Sequence, residues 1–465
     1  MENISLLRSR LLPAPCGADI SNGSERALYV PMSHIFKTLR RPHRAVNLMF
    51  TYYPFDKGWP KRASKIVRWK KGMGQWDLPF DDYEVYLGGP GGSDDAEAFR
   101  QFNDIRMFGQ DIHFTLTIDL NVPSDTLQHI ARDLRPYGRV FFRINHECNG
   151  NWFQHNKRYS YKQVSDFFVK FHYILKETAP FVKTVLCLNG YDNPEDLHVG
   201  EHELAEAVRT ADVLAIDRYI SLHYKWPNEF TGDLDSYFDL DLKHWWKVMK
   251  ENYNLLCDIR KNDTFSFSLP ELNADSDVNG FSGQARRIAD AYDLIKTDGK
   301  KWINAVTMYQ FRDRGGLGLE LEDPKTFKFI KRLPSCSAYK KAVADKHFQP
   351  VIKTGAAINA RKLSLSLKWF NSEDAEGICL AGLRPLDSTG IHLLLPKGNY
   401  LINCNGSWLH SRGGKVDLKR MVDSGAQFKV NVFAPPAEGI NSRGADGQFL
   451  PYYEKVFDTL PQIIC

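Results

Sequence analysis

Apolar runs of strand length recur along most of the chain, separated by amphipathic stretches. The runs fall at 45–50, 83–87, 112–120, 140–146, 182–188, 213–219, 265–269 and 303–311. Between them the period changes. Val164, Phe167, Phe168, Phe171, Ile174 and Leu175 keep the spacing that lines one face of a helix. Ala285, Ile288, Ala289, Tyr292 and Ile295 form a second such stripe, opened by Ser282. Eight strands alternating with helices imply parallel pairing and right-handed crossovers. The count is that of an α/β fold, the (β/α)8 TIM barrel, which gathers every strand's C-terminal end on one face.

The pattern differs on either side. Residues 1–40 are irregular and rich in Arg, Pro and Ser, and are expected to be a lead-in segment. The barrel is expected over 41–348. From 349 to 465 short strand-like runs are punctuated by turns such as Pro396-Lys-Gly-Asn399 and Asn405-Gly406, which predicts a small C-terminal β-sandwich. Packing is its default role, with sugar binding through Trp369 or Trp408 as the alternative. The glycines at 88–92 lack a following Gly-Lys-Ser/Thr and read as a tight strand-to-helix turn, not a phosphate loop. Ser93-Asp94-Asp95 is expected to cap the next helix.

Charge changes this picture little. There are 61 Lys and Arg against 56 Asp and Glu in 465 residues, a net +5. That weak excess, and a basic run at 61–71 broken by Trp69, reads as solvated surface and predicts no nucleic-acid partner. No stretch approaches the ~18 apolar residues of a membrane span. The first 30 residues also lack the apolar core of an export signal. The expectation is a cytoplasmic protein, or a secreted one whose signal peptide is absent from this chain. Eight scattered cysteines without a Cys-x-x-Cys pair predict free thiols, neither disulfide frame nor zinc site.

The candidate chemistry lies at the strand ends. Val140-Phe-Phe142 runs into Arg143-Ile-Asn-His146-Glu147-Cys-Asn149-Gly-Asn-Trp152-Phe153. The sixth run ends in Asp217-Arg-Tyr219, the seventh leads into Pro270-Glu271, and the eighth holds Tyr309 ahead of Arg312. Two carboxylates facing each other from strands four and seven are what glycosidic cleavage needs: one protonates the leaving oxygen, and the other attacks the anomeric carbon or activates water. His146-Glu147 is no zinc motif, since the position four after His146 is Gly150. No metal or cofactor is called for.

Arg143-x-x-His146-Glu147-x-Asn149-Gly150-x-Trp152-Phe153 resembles the strand-four signature of glycoside hydrolase family 26, in the clan of retaining (β/α)8 glycosidases. The resemblance spans about 45–320. It implies Glu147 as acid/base and Glu271 as nucleophile. It also implies Arg143 beneath the site, Tyr219 bonding the nucleophile beside Asp217, and His146, Trp152 and Phe153 against sugar. Asn149, Tyr309 and Arg312 are further substrate-side candidates. Asn145, Gln154, His155 and Pro-Glu271-Leu-Asn depart from the family pattern on the sugar-facing side. The expected activity is a retaining endo-β-glycoside hydrolase acting on a polysaccharide or oligosaccharide such as β-mannan, β-xylan or β-glucan. Two alternatives stand beside it. One is an exo-acting clan relative on another glycoside or an exopolysaccharide, with long segments at 61–92 and 220–240 closing the cleft. The other is a non-catalytic carbohydrate-binding barrel.

Overall fold

The structure, a computed structural model, describes all residues except 1–3, 25–27, 60–83, 151–157, 224–229, 231, 233–235 and 359–364. Eight parallel strands close into a barrel: Gly17–Ser21, Ala45–Tyr52, Asp111–Ile118, Val140–Ile144, Lys183–Asn189, Val213–Asp217, Ser266–Leu272 and Ala305–Met308. Closure is made at Ile20, which pairs with Met308 on one side and Val46 on the other. A helix follows every strand, from Met32–Leu39 after the first to Pro334–Ala342 after the eighth.

Side-chain parity explains how the barrel is filled. Val46, Leu48, Phe50 and Tyr52 of the second strand join the core under the helices. The alternate positions point inward. Low in the barrel Ala45, Phe141, Val185, Cys187, Val213 and Ala215 form a small apolar cluster, with the Arg44 guanidinium 4.3 Å over the Phe141 ring. Above it the same parity places Asn47, Thr115 and Arg143, all buried. The outer ring follows the predicted stripes. Tyr161–Thr178 buries Val164, Phe167, Phe168, Phe171 and Leu175, and starts in a capping box between Ser160 and Gln163.

Three expectations are corrected. Residues 1–40 are not a lead-in. Ser5–Leu12 is a strand of the sandwich, between Val351–Ala357 and Asp374–Leu383, and Gly17–Ser21 is the first barrel strand. Five residues reading Gly-Ala-Asp-Ile-Ser carry too little apolar pattern to announce a strand. The run at 83–87 is no barrel strand: Glu84–Val85 adds a two-residue edge to Phe50 and Thr51. Val85 and Leu87 are 57% exposed there, so alternation alone misled. The helix after the glycine turn begins at Glu97, behind Ala96, and Ser93 Oγ instead accepts from the Asp95 N–H.

The C-terminal sheets are antiparallel and enclose a second core that includes Ile378, Leu393 and Val430. This sandwich is fastened to the barrel. Trp369, 1% exposed, belongs to the barrel's core and lies against Gly109, where an added Cβ would meet the indole ring at 3.0 Å. His410 stacks on Phe108 at 4.1 Å, and Arg139 bridges Asp111 and Glu373. Trp408 is 4% exposed, so neither tryptophan offers a ring face to a sugar. No helix among the described residues is long and apolar enough to cross a membrane, and all eight cysteines are thiols. Trp369→Ala opens a large cavity at the seam and is expected to cost about 3–5 kcal/mol. Denaturant unfolding followed by far-UV circular dichroism checks it. A loss under about 1 kcal/mol would mean that Trp369 does not hold the seam.

Candidate active site

The fourth strand ends by turning its backbone sharply. Asn145 and Glu147 both take positive φ, 55° and 45°. Asn tolerates that region, and its Oδ1 is fixed by the Ile118 N–H at 2.9 Å. Glu147 is not a residue suited to it, and holding it there costs of order 1 kcal/mol. The surroundings hold the turn shut. Gly150 N–H donates to the Glu147 carbonyl, and Cys148 N–H to that of Cys187. The Asn149 amide is doubly bonded to the Asn189 backbone, at 2.9 and 2.7 Å. Asn149 thus ties this loop to the end of the fifth strand.

Beneath the turn lies Arg143, fully buried. Its Nη2 donates to Glu271 Oε1 and its Nη1 to Asp217 Oδ2, each at 3.0 Å. Its Nε donates to Thr115 Oγ1 at 2.7 Å, and the Thr115 hydroxyl passes its own hydrogen to Asn47 Oδ1 at 3.1 Å. Four strands therefore orient one guanidinium. Glu271, 4% exposed, is gripped from its other side by the Tyr219 hydroxyl, 2.5 Å from Oε2. The Tyr309 ring backs Tyr219 edge-on at 5.8 Å. His146 stands between the acids: Nε2 is 3.8 Å from Glu147 Oε1 and 3.5 Å from Glu271 Oε1, while Nδ1 is 3.4 Å from Asp217 Oδ2.

Among the described residues Arg143 is the one guanidinium shared by Asp217 and Glu271. Burial raises the Glu271 pKa, and Arg143 and the Tyr219 hydrogen bond offset this only in part. Burial, and then the charge of Glu271, raise Asp217 to about 8, against Arg143. Burial opposes the charge on Arg143, yet Glu271 and Asp217 outweigh it and hold its proton more tightly. Burial and the neighbouring Glu271 keep the Tyr219 phenol protonated, as a donor must be. One guanidinium cannot neutralise both acids, so a proton belongs to the pair. We place it on Asp217, because Glu271 receives two strong donors.

Six predicted residues thus meet: Arg143, His146, Glu147, Asp217, Tyr219 and Glu271. Tyr309 supports them. Trp152 and Phe153, with Gln154 and His155, lie outside the described residues. Arg312 does not join. It sits on a short strand paired with Glu320–Glu322, and its guanidinium is 2.8 Å from Glu320, which His34 and Arg332 share. Asp119 is likewise engaged, by Tyr159 and Arg158. Cys187, Thr115 and Asn47 were not singled out from the sequence. The Cys187 thiol donates to Asp217 Oδ2 at 2.9 Å. Counting inward by twos from the strand ends would have flagged it, since Cys187 shares parity with Asn189.

Two clusters offer metal-type donors among the described residues: His146, Cys187 and Asp217, and His223, Asp275 and Asp277. In the first, Arg143 already donates to Asp217 and reaches Cys187, so a cation would be set against a guanidinium. In the second, Asp275 is spent on the backbone N–H groups of His223 and Asp277 and on the His223 ring.

No family model matches this sequence, and no curated protein matches it. Among solved structures, one similar to this chain is an α-L-arabinofuranosidase from Thermotoga maritima, at 10% identity and TM-score 0.43, covering 93% of this chain and 100% of that one. Another is a GH26 β-mannanase from Bacteroides ovatus, at 10% and 0.42, covering 71% and 89%. A third is an endo-β-1,4-mannanase from Cellulomonas fimi, at 11% and 0.44, covering 95% and 93%. Identity this low leaves the chemistry to this chain's own side chains.

The proton on Asp217 has a measurable consequence. Asp217 binds it more tightly folded than unfolded. Its stabilising contribution is full below pH 3.8 and is lost as pH rises through about 8. Asp217→Asn keeps an uncharged side chain of the same shape and is expected to flatten the fall in melting temperature across that window. Thermal unfolding at a series of pH values reads it, and parallel curves for the two proteins would refute the assignment.

Proposed function

We propose that this chain is a retaining endo-β-glycoside hydrolase acting on a polysaccharide of the β-mannan, β-xylan or β-glucan class. The observation that carries the proposal is the position of His146 Nε2, 3.8 Å from Glu147 and 3.5 Å from Glu271. The two carboxylate oxygens can then be no more than about 7 Å apart. That limit on one pair of oxygens is compatible with the spacing of about 5–5.5 Å of a retaining pair, as against about 6.5–9.5 Å for an inverting one. The endo mode and the choice of glycans rest on the resemblance of Arg143 to Phe153 to the family 26 signature.

Glu271 attacks the anomeric carbon as a carboxylate. Arg143 and Tyr219 keep it ionised and immobile, and Asp217, by taking the proton, spares it from doing so. As the carbon–oxygen bond breaks, Glu147 gives its proton to the departing glycosidic oxygen. Glu147 then takes a proton from water, whose oxygen displaces Glu271 and restores the starting configuration. His146 lies where it can meet hydroxyls of the sugar at the point of cleavage. Trp152 and Phe153 are the proposed ring platforms.

The test is a panel of β-mannans, β-xylans and β-glucans assayed for reducing ends, with product anomers read by NMR. Glu147→Gln and Glu271→Gln are each expected to lower kcat by about 10²-fold or more without loss of folding. Tyr219→Phe removes one hydrogen bond to a charged group and is expected to lower kcat about 10–100-fold. Activity surviving in both glutamine variants, or inverted product, would reject the mechanism.

A further inference from the structure

On the opposite side from Glu147, a cleft of about 770 Å³ opens between the barrel and the sandwich. Arg40 and Arg41 precede the second strand, and Lys346 adjoins His347, whose carbonyl accepts the Cys16 N–H just ahead of the first strand. The cleft therefore lies at the barrel's N-terminal face, remote from the catalytic rim. It is lined by Arg40, Arg41, Lys340, Lys346 and Arg420 and, among the described residues, by no carboxylate. Among the described residues none of these five forms an ion pair.

Arg41 is the sharpest case. It is buried, and it donates to the carbonyls of Pro42, Val343 and Phe348. Burial lowers its pKa to about 10. Those carbonyls satisfy its hydrogen bonds, while its charge, with no carboxylate beside it among the described residues, adds to the positive potential of the cleft wall. Arg40, Lys340, Lys346 and Arg420 stand exposed around it. Ile352 and Leu409 supply apolar wall between the charges.

We propose that this cleft binds an anionic polysaccharide, a chain of uronate-type sugars. Apolar wall suits the faces of pyranose rings, and the surrounding cations suit their carboxylates. The volume is that of several linked rings, where a single phosphate would need far less. A nucleic acid fits less well. Base stacking needs an open aromatic face, and the cleft's Trp408 is 4% exposed. The site is independent of the glycosidase proposal, and its test reads binding, not hydrolysis.

The experiment is native electrophoresis of the full chain through gels containing polygalacturonate, at several concentrations, to obtain a dissociation constant. Lys346→Glu with Arg420→Glu reverses two exposed cleft charges. Lys325→Glu with Lys328→Glu makes the same net change on exposed surface elsewhere. The wild type is expected to be retarded, the cleft variant to bind about tenfold more weakly or worse, and the control to stay within about twofold. No retardation of the wild type overturns the proposal. So does equal weakening of both variants, which would reflect net charge alone. Tighter retention by single-stranded RNA than by polygalacturonate overturns it too.

Discussion

A guanidinium with no access to water is the constraint that the upper barrel is built to meet. Removing Arg143 from solvent is costly, and only partners arranged in advance repay it. They come from around the barrel: Thr115 from strand three, Asp217 from strand six and Glu271 from strand seven. Because the same cation holds two acids, neither acid can move without disturbing the other. Stability and chemistry therefore share one set of bonds. The interior changes from apolar at Phe141 to fully polar at Arg143, a single step of two residues along one strand.

Much of this was legible in sequence, for a physical reason. Strands buried on both faces read as continuous apolar runs, and the second and third barrel strands are buried at every position. Charged residues at their ends stand out against such runs, which is how Arg143, Glu147, Asp217 and Glu271 were found. What escaped notice was short or polar. Gly17–Ser21 is held by its neighbours on both sides, not by its own composition. The total of eight strands survived only because a false strand at 83–87 replaced a true one. Arg312 was misjudged because a strand end fixes where a residue begins but not where a long side chain goes, and Glu320 drew it away. Cys187 went unremarked because a thiol looks like any small apolar residue until an acid stands beside it.

The two bodies of the chain share more than a boundary. Trp369 from the sandwich completes the barrel's core, and Arg106 of the barrel's second helix reaches Gly439 and Asn441. Joined this firmly, the sandwich fixes one wall of the basic cleft relative to the other. A groove whose width is already set loses less freedom when a ligand enters it.

The strand Ser5–Leu12 carries a further consequence, for biogenesis. Leu7 pairs with Cys379, roughly 370 positions later. On a ribosome this segment emerges long before either of its partners. Until they arrive it is an unpaired edge, and the next strand, Gly17–Ser21, waits for Ala305–Met308 before the ring can close. Both closures wait on segments made much later, so the growing chain depends on whatever shelters these two early strands until then.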